Sequence, residues 1–293
     1  MAALQQLLHR LGDQASESLE RSGFLDRTGK LLTRAFARVV RPGTIKDLLS
    51  GTWLGHPVHP ILTDIPIGVW TASLAFDVAG GDRSRQSSDS LVGLGILSAI
   101  PTAVTGLSEL ADTVDRKERS LAAAHAVGNV AALLLYSFSY AARRRGRRGA
   151  GALLSTSGWV TLLGSGYLGG HLAFRKGLGV DRTRFDHLVG DWTPTIPERE
   201  LAEAKPTKVS AGGTDVLLYR QGGTIYAVST RCSHRGGPLH KGKVDDLRVT
   251  CPWHLSTFDL KDGSIVRGPA TAPQPPYEVR VEDGTIEVRT PRD

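Results

Sequence analysis

Cysteine is scarce in this sequence, with only two among 293 residues. Each lies in a short segment that also contains histidine, so neither is left over for a structural disulfide. Nothing therefore requires an oxidising compartment. The sequence also lacks a nucleophile triad, a phosphate-binding glycine loop, a nucleotide fingerprint and a mononuclear iron facial triad, which argues against a self-contained oxygenase. No internal repeat is apparent.

Positive charge exceeds negative charge, giving a formal net charge of +7. A nucleic-acid surface would need the basic residues clustered on one soluble face. Here they mostly flank apolar segments. Five of them, Arg143, Arg144, Arg145, Arg147 and Arg148, lie between two such segments, as in a short basic loop at a membrane surface. We therefore expect no nucleic-acid partner.

Four apolar segments occupy the middle of the chain. Residues 91–108, 120–142 and 149–174 contain no charged residue, and each is long enough to cross a hydrocarbon core of about 30 Å. The first segment, about Ile61 to Gly80, is interrupted by Asp64 and Asp77. We predict that all four cross the membrane as an all-α transmembrane four-helix bundle. The alternative is a buried, soluble helical bundle.

The predicted organisation has four parts. Residues 1–50 form an amphipathic helical arm, either cytosolic or lying on an anionic membrane surface. Residues 51–180 form the four-helix transmembrane domain, and the proline-containing residues 181–199 form a linker. Residues 200–293 contain short β-prone runs separated by glycine turns, which predicts a small all-β domain. The N-terminal segment lacks the unbroken apolar core of a signal peptide, so we expect no cleaved signal.

The all-β region contains two ligand-bearing loops, Cys232-Ser233-His234 and Cys251-Pro252-Trp253-His254. Two thiolates and two imidazoles divide naturally between the two irons of a [2Fe–2S] cluster. A zinc site can use the same ligand set, but zinc fingers place both cysteines together and both histidines together. Here each loop supplies one of each. The spacing favours a cluster bound by Cys232, His234, Cys251 and His254.

At these loops the chain resembles the Rieske family. The loops read Cys-Ser-His-Arg-Gly-Gly-Pro-Leu and Cys-Pro-Trp-His-Leu-Ser-Thr-Phe-Asp-Leu, followed by Asp262-Gly263 and Gly268-Pro269. The resemblance covers about residues 200–293. It implies a β-sandwich with the cluster at its tip, both histidine edges near solvent, and one-electron exchange through the histidines.

Several positions depart from the family pattern. Gly237 and Trp253 stand where respiratory Rieske proteins carry two disulfide-forming cysteines, so the domain is more similar to the Rieske-type ferredoxins that serve oxygenases. Leu255 replaces the glycine usual after the second histidine. Ser256 matches the serine that donates to a cluster sulfur, but Phe258 replaces a tyrosine donor. The resemblance therefore implies an intermediate reduction potential.

Four histidines accompany the apolar segments: His56 and His59 before the first, His125 in the third and His171 near the end of the fourth. Together with Trp70 and nearby Pro and Gly, they resemble an uncharacterised bacterial four-helix membrane family, DUF2231, over roughly residues 50–180. An even number of spans places all four at one face. Ionisable residues near a membrane indicate a functional site, so we predict that they bind haem, a metal or a quinone headgroup. Interfacial or capping roles are the alternative.

These features predict a multi-pass protein of the cell inner (plasma) membrane. Its function would be one-electron transfer between the [2Fe–2S] cluster and a quinone, haem or other membrane redox partner. Its partners would be the lipid bilayer and a redox protein or quinone. Lys and Arg are more frequent near the span ends on the face of the termini, which predicts a cytoplasmic Rieske domain. Two alternatives are a membrane-anchored ferredoxin serving a soluble oxygenase or reductase, and a redox sensor.

Overall fold

A computed structural model describes residues 2–81 and 84–292, without the side chains of residues 2–5, 7–9 and 11. The chain divides into two compact units. The first comprises Met1–Val40 and Val58–Leu178, and the second comprises Arg41–Pro57 and Gly179–Asp293. A helical region therefore precedes a β-sheet domain, as predicted.

The described residues contain seven α-helices. They are α1 (Ala2–Arg21), α2 (Gly23–Val39), α3 (Thr44–Ser50), α4 (Val58–Ala79), α5 (Arg85–Ala111), α6 (Arg116–Arg144) and α7 (Arg148–Gly170), and a π-helical turn, His171–Arg175, follows α7. Helix α4 packs along α5, and α6 packs along α7, while α5 also contacts α6. Helices α1 and α2 pack on α6 as well. The predicted four-helix bundle is therefore too simple, because the N-terminal arm buries Leu25 and Asp26 against the other helices.

Three helices in the described part of the chain are long and apolar enough to cross a membrane: α4, α5 and α6. Helix α7, which we predicted as a fourth span, does not belong to this set. It is rich in Gly, Ser and Thr, which lower its mean hydropathy. The same small residues allow helices to approach closely.

Aromatic residues fill the centre of the helical unit. Trp70 on α4 stacks on Tyr136 of α6, with ring centres 4.0 Å apart and planes 3° from parallel. The indole N–H of Trp70 donates to the carbonyl of Val92 at 3.3 Å. A Cβ at Gly95 would lie 2.1 Å from the indole nitrogen. The ring therefore needs a glycine on α5 at this point.

The basic segment after the third apolar run is not entirely a surface loop, contrary to the prediction. Helix α6 includes Arg143, whose side chain is 1 % exposed. Arg143 donates to Asp77 Oδ1 at 2.8 Å and to Asp89 Oδ1 at 3.3 Å, and Arg148 donates to Asp89 Oδ2 at 2.7 Å. These ion pairs explain how Asp77 is accommodated in an apolar helix, since a buried charge requires a partner.

The second unit contains ten short strands in the described residues. They are β1 (Thr193–Pro197), β2 (Thr207–Ala211), β3 (Thr214–Gln221), β4 (Thr224–Ser229), β5 (Lys243–Asp245), β6 (Arg248–Thr250), β7 (Thr257–Asp259), β8 (Ile265–Arg267), β9 (Glu278–Glu282) and β10 (Thr285–Arg289). They form three antiparallel sheets, ordered β1-β10-β9, β2-β3-β4 and β5-β6-β7-β8.

Strand β3 has apolar residues on both faces, so it contributes to two cores. Val216 and Leu218 pack in a core shared with Ile286 of β10. Leu217, one residue out of phase, points to the opposite face and packs in a core that includes Cys232. This two-residue alternation is the ordinary geometry of a strand. Strand β3 therefore places buried apolar side chains against the two cysteines of the ligand loops.

Candidate metal centre

The structure brings the four predicted cluster ligands together. Cys232 lies in the loop after β4, Cys251 directly follows β6, and each cysteine is 1 % exposed. The rings of His234 and His254 lie 5.0 Å apart between centres and are inclined at 88°. Both histidines are only partly buried. The cysteines thus lie inside the domain and the imidazoles lie towards its surface.

Main-chain N–H groups stabilise negative charge on both sulfurs. Each cysteine sulfur accepts from the N–H groups two and three residues further along the chain. The hydrogen bond from the Cys232 thiol lowers the pKa of Cys251 to about 7. The same hydrogen bond, as the larger cause, and burial, as the smaller one, raise the pKa of Cys232. Cysteine binds metal as the thiolate, so the main-chain N–H groups around each sulfur suit a metal ligand.

Two of the four candidate ligands are buried thiols and two are partly buried imidazoles. In the described residues, no group of three or more His, Cys, Asp or Glu side chains is arranged to hold a single metal ion. A zinc site would require such a group. A Rieske-type [2Fe–2S] cluster separates its ligands into two pairs, so Cys232 and Cys251 would hold one iron and His234 and His254 the other. The donor set therefore fits the cluster.

The two ligand loops also lie directly against each other. A Cβ at Gly237 would be 2.6 Å from the sulfur of Cys251 and 3.2 Å from Trp253 Cδ2. The main chain of the first loop consequently runs beside the sulfur of the second. This close approach explains a glycine at position 237, one of the two positions where a disulfide cysteine is lacking.

The amide of Gln274 supports the first ligand loop, and sequence reasoning missed it. Gln274 is fully buried, and its Oε1 accepts from the main-chain N–H of Ser233 at 2.7 Å. Its Nε2 donates to the carbonyls of Ser229 and Arg231, both at 2.9 Å. The hydroxyl of Ser233 donates to the carbonyl of Ala272 at 2.7 Å. A glutamine among prolines carries no sequence signal for such a role.

Three positions that were compared with the family pattern have a clear structural setting. Leu255 has a φ of 65°, a left-handed conformation that favours glycine, so the loop keeps its shape despite the substitution. Ser256 is fully buried, and its Oγ accepts from the N–H of Ala270 at 3.0 Å, which leaves its own hydrogen to donate. Phe258 is fully buried in the apolar cluster that contains both cysteines.

Residues 41–57 pack on the β-domain beside the loop that contacts both ligand segments. A Cβ at Gly268 would lie 2.1 Å from Thr52 Oγ1 and 2.8 Å from Asp47 Oδ1. Burial raises the pKa of Asp47, partly offset by a hydrogen bond from the N–H of Gly268. The same loop continues to Ala270 and Gln274. Residues that precede the first apolar helix therefore contact a loop next to the cluster ligands.

The four membrane-associated histidines do not form a single group. His59 and His125 lie together, with ring centres 6.4 Å apart. The ring of His171 contacts Tyr167 instead, and its Nδ1 lies 3.5 Å from Ser16 Oγ. His56 is exposed and belongs to the other compact unit. The cofactor-binding role of all four stays a prediction.

Two buried thiols and two neighbouring imidazoles, supplied by two loops of a small antiparallel β-domain, define an iron–sulfur protein of the Rieske type. A family model for the Rieske [2Fe-2S] domain matches residues 191–279. A second model, described as "Predicted membrane protein (DUF2231)", matches residues 55–182. The chain therefore belongs to the Rieske [2Fe-2S] family and joins that domain to a DUF2231 domain.

Two curated relatives each match about a third of the chain. The anthranilate 1,2-dioxygenase ferredoxin subunit of Burkholderia cepacia is 32% identical over 100 residues, which are 34% of this chain and 93% of that protein. The 3-phenylpropionate/cinnamic acid dioxygenase ferredoxin subunit of Escherichia coli K12 is 34% identical over 96 residues, covering 32% of this chain and 90% of that protein. The protein is thus an iron–sulfur electron carrier.

A solved structure matches the same region. It is the ferredoxin of carbazole 1,9a-dioxygenase from Nocardioides aromaticivorans IC177, which is 28% identical. The match covers 35% of this chain and 100% of the ferredoxin, with a TM-score of 0.33.

Proposed function

We propose that this protein is a membrane-bound one-electron carrier that exchanges electrons with a redox partner of the membrane, such as a quinone or a haem. One observation carries the proposal: the chain that holds the Rieske ligands also contains three helices able to cross a bilayer. A carrier built in this way would remain close to membrane-bound partners while its cluster domain stays outside the lipid.

The distribution of side chains on α4, α5 and α6 supports insertion in lipid. Large apolar side chains are exposed on all three helices: Ile61, Ile65, Ile67, Phe76, Val78, Leu94, Leu97, Ile100, Val104, Val127, Val130, Leu134 and Phe138. Polar side chains are buried between the helices: Ser73, Ser88, Thr102, Thr105, Ser108, Ser120 and Ser139. Exposed apolar surface of this extent suits lipid better than water. We infer a multi-pass protein of the inner membrane.

The ligand geometry supports electron exchange at the domain surface. A Rieske cluster, when bound, accepts and returns one electron. His234 and His254 are partly exposed, so an acceptor can approach their ring edges.

A second candidate function is supported by the names of the relatives. The two curated relatives described above are ferredoxin subunits of dioxygenases. Positions 237 and 253 of this chain hold Gly and Trp instead of the disulfide cysteines of respiratory Rieske proteins. The helices would then be an anchor, and the acceptor would be a soluble oxygenase or reductase.

The test uses the full-length protein in detergent. We expect a Rieske EPR signal that is abolished in both Cys232→Ser and Cys251→Ser. Two irons and two sulfides persisting in both variants would contradict the ligand assignment.

The reduced protein is then mixed separately with membrane vesicles and with the soluble fraction. Reoxidation by vesicles alone supports the main proposal, and reoxidation by the soluble fraction alone supports the second candidate.

A further inference from the structure

His59 on α4 and His125 on α6 meet inside the helical unit. Helix α4 packs mainly on α5 and α7, and α6 also packs on α5 and α7. The two histidines therefore lie close together among these four helices. Their ring centres are 6.4 Å apart, and their planes are inclined at 88°.

Both imidazoles are held in the tautomer of a metal ligand. His59 Nδ1 lies 3.0 Å from the carbonyl oxygen of Thr102, and His125 Nδ1 lies 2.7 Å from that of Ser165. A carbonyl oxygen only accepts, so each Nδ1 carries the hydrogen and each Nε2 carries a lone pair. Metal-bound histidines characteristically donate their other ring N–H in this way.

Two glycines make room for the rings. A Cβ at Gly106 of α5 would lie 2.8 Å from His59 Cε1. A Cβ at Gly169 of α7 would lie 2.9 Å from His125 Cε1. Each imidazole therefore packs between a carbonyl anchor and a glycine of the neighbouring helix, which restricts its orientation.

The number of available ligands indicates which metal group would suit the pair. Zinc and copper sites use three or four protein ligands, yet the described residues offer no group of three or more such side chains. Haem iron requires only two, because the porphyrin supplies four nitrogens. Two imidazoles on opposite sides of one metal, each bound at about 2 Å, have ring centres roughly 6 Å apart. The observed 6.4 Å agrees with this arrangement.

We propose that His59 and His125 are the two axial ligands of a non-covalently bound haem. This inference rests on the proposed electron-carrier function and identifies a membrane redox group within the same chain. Both cysteines belong to the iron–sulfur site, so no cysteine pair is left to attach a haem covalently. A quinone carbonyl would need a hydrogen-bond donor, but both ring N–H groups already donate to main-chain carbonyls.

Asn129 contacts the proposed ligand nitrogen of His125 and so allows a second, independent test. Its Nδ2 donates to His125 Nε2 at 3.0 Å, and its Oδ1 accepts from Ser165 Oγ at 2.8 Å. The amide and an iron would compete for the same lone pair. Asn129→Ala should therefore tighten haem binding, whereas a purely structural histidine would only lose a hydrogen bond.

The experiment measures haem in full-length protein purified in detergent after expression with added haem precursor. We expect haem b by pyridine haemochrome assay and a low-spin ferric EPR signal, strongly anisotropic because the ring planes are nearly perpendicular. His59→Ala and His125→Ala should each reduce haem content about tenfold or more. The control His187→Ala, at an exposed histidine of the other compact unit, should retain it. A haem-free wild-type protein, or equal haem content in all variants, would overturn the proposal.

Two further measurements separate ligand loss from misfolding. The Rieske EPR signal reports the fold of the other domain, and His59→Gly supplied with free imidazole and haem should regain the low-spin spectrum. Failure of imidazole to restore it in a protein with an intact Rieske signal would count against His59. If the wild type contains no haem but vesicles still reoxidise its cluster, this inference fails and the proposed function stands. A haem-containing protein whose cluster exchanges electrons with neither fraction would overturn the proposed function alone.

Discussion

We expect the reduction potential of the cluster to depend on single hydroxyl groups near its sulfurs. Ser256 keeps a hydroxyl hydrogen that it can donate. Phe258, which is buried in the apolar core beside both cysteines, has no hydroxyl group. Donors stabilise the more negative reduced state. We expect Phe258→Tyr to raise the midpoint potential and Ser256→Ala to lower it, measured by redox titration followed by EPR.

The wild-type value provides the check on this argument. We expect a midpoint below the upper end of the range of about −150 to +300 mV for Rieske centres. A midpoint at the upper end, or variants that do not shift in opposite directions, would show that other groups determine the potential.

Leu255 is strained at its own position. Its left-handed φ of 65° costs an L-residue roughly 1–2 kcal/mol of folding free energy. Glycine avoids this strain, but its larger conformational entropy in the unfolded chain would cost about 0.5–1 kcal/mol. We therefore expect Leu255→Gly to stabilise the β-domain by up to about 1 kcal/mol, measured by thermal unfolding. Leu255→Ala is the matched control, since alanine keeps the strain. Stabilisation by alanine equal to that by glycine would rule out the backbone explanation.

At the scale of elements, the first ligand loop depends on one amide. Gln274→Ala would leave the N–H of Ser233 and two carbonyls without their buried partner. We expect a loss of about 2–4 kcal/mol of stability and faster loss of the Rieske EPR signal on heating. Gln221→Ala, at an exposed position of β3, is the matched control and should change stability by less than about 0.5 kcal/mol. Equal behaviour of the two variants would refute this role.

Helix α2 is tied to α6 by Asp26. Hydrogen bonds from Lys30 and Arg119, each at 2.8 Å, lower the pKa of Asp26. Because the pKa of Asp26 is lower in the folded protein, its ionised form stabilises the fold at pH values above the ordinary aspartate pKa of 3.8. This stabilisation is lost as the pH falls through the folded-state pKa. We expect Asp26→Asn to lower the Tm at neutral pH, with the difference from wild type disappearing in acid.

The control for this pH dependence is Glu17→Gln. Glu17 pairs with Arg21 on the surface of α1, where both side chains are mostly exposed. Such a pair contributes little, so the Tm should hardly change at any pH. A Tm loss for Asp26→Asn that persists unchanged in acid would mean that packing, not charge, is responsible.

At the scale of the whole molecule, the membrane topology can be read with introduced cysteines. The native cysteines are buried, so cysteines placed at exposed positions 87, 117 and 261 should react selectively. The sequence prediction that α7 also crosses places positions 117 and 261 on the cytoplasmic side. Lys117→Cys and Lys261→Cys should then react from the cytoplasm and Ser87→Cys from the opposite side, because α5 separates positions 87 and 117. Labelling of position 261 together with position 87 would show that α7 does not cross.

The sequence by itself determined the position of the two Cys- and His-bearing loops, the order of a helical and a β-region, and the apolar segments that became α4, α5 and α6. Each of these depends on properties that act over a few neighbouring residues. Hydropathy adds up along a helix, and Cys232 with His234 lies within one short loop. The positions of Ser256 and Phe258 could be recognised for the same reason, since they follow the second ligand loop directly.

Only the tertiary structure decided which distant residues meet. Arg143 was expected in a surface loop, but its ion pair with Asp77 joins residues 66 positions apart. Gln274 reaches Ser233 across 41 positions, and only one pair of the four membrane-associated histidines came together, His59 and His125. Such contacts depend on how helices and loops pack, and local composition does not encode packing partners. A buried polar group must find a partner somewhere in the fold, but its own sequence neighbourhood does not say where.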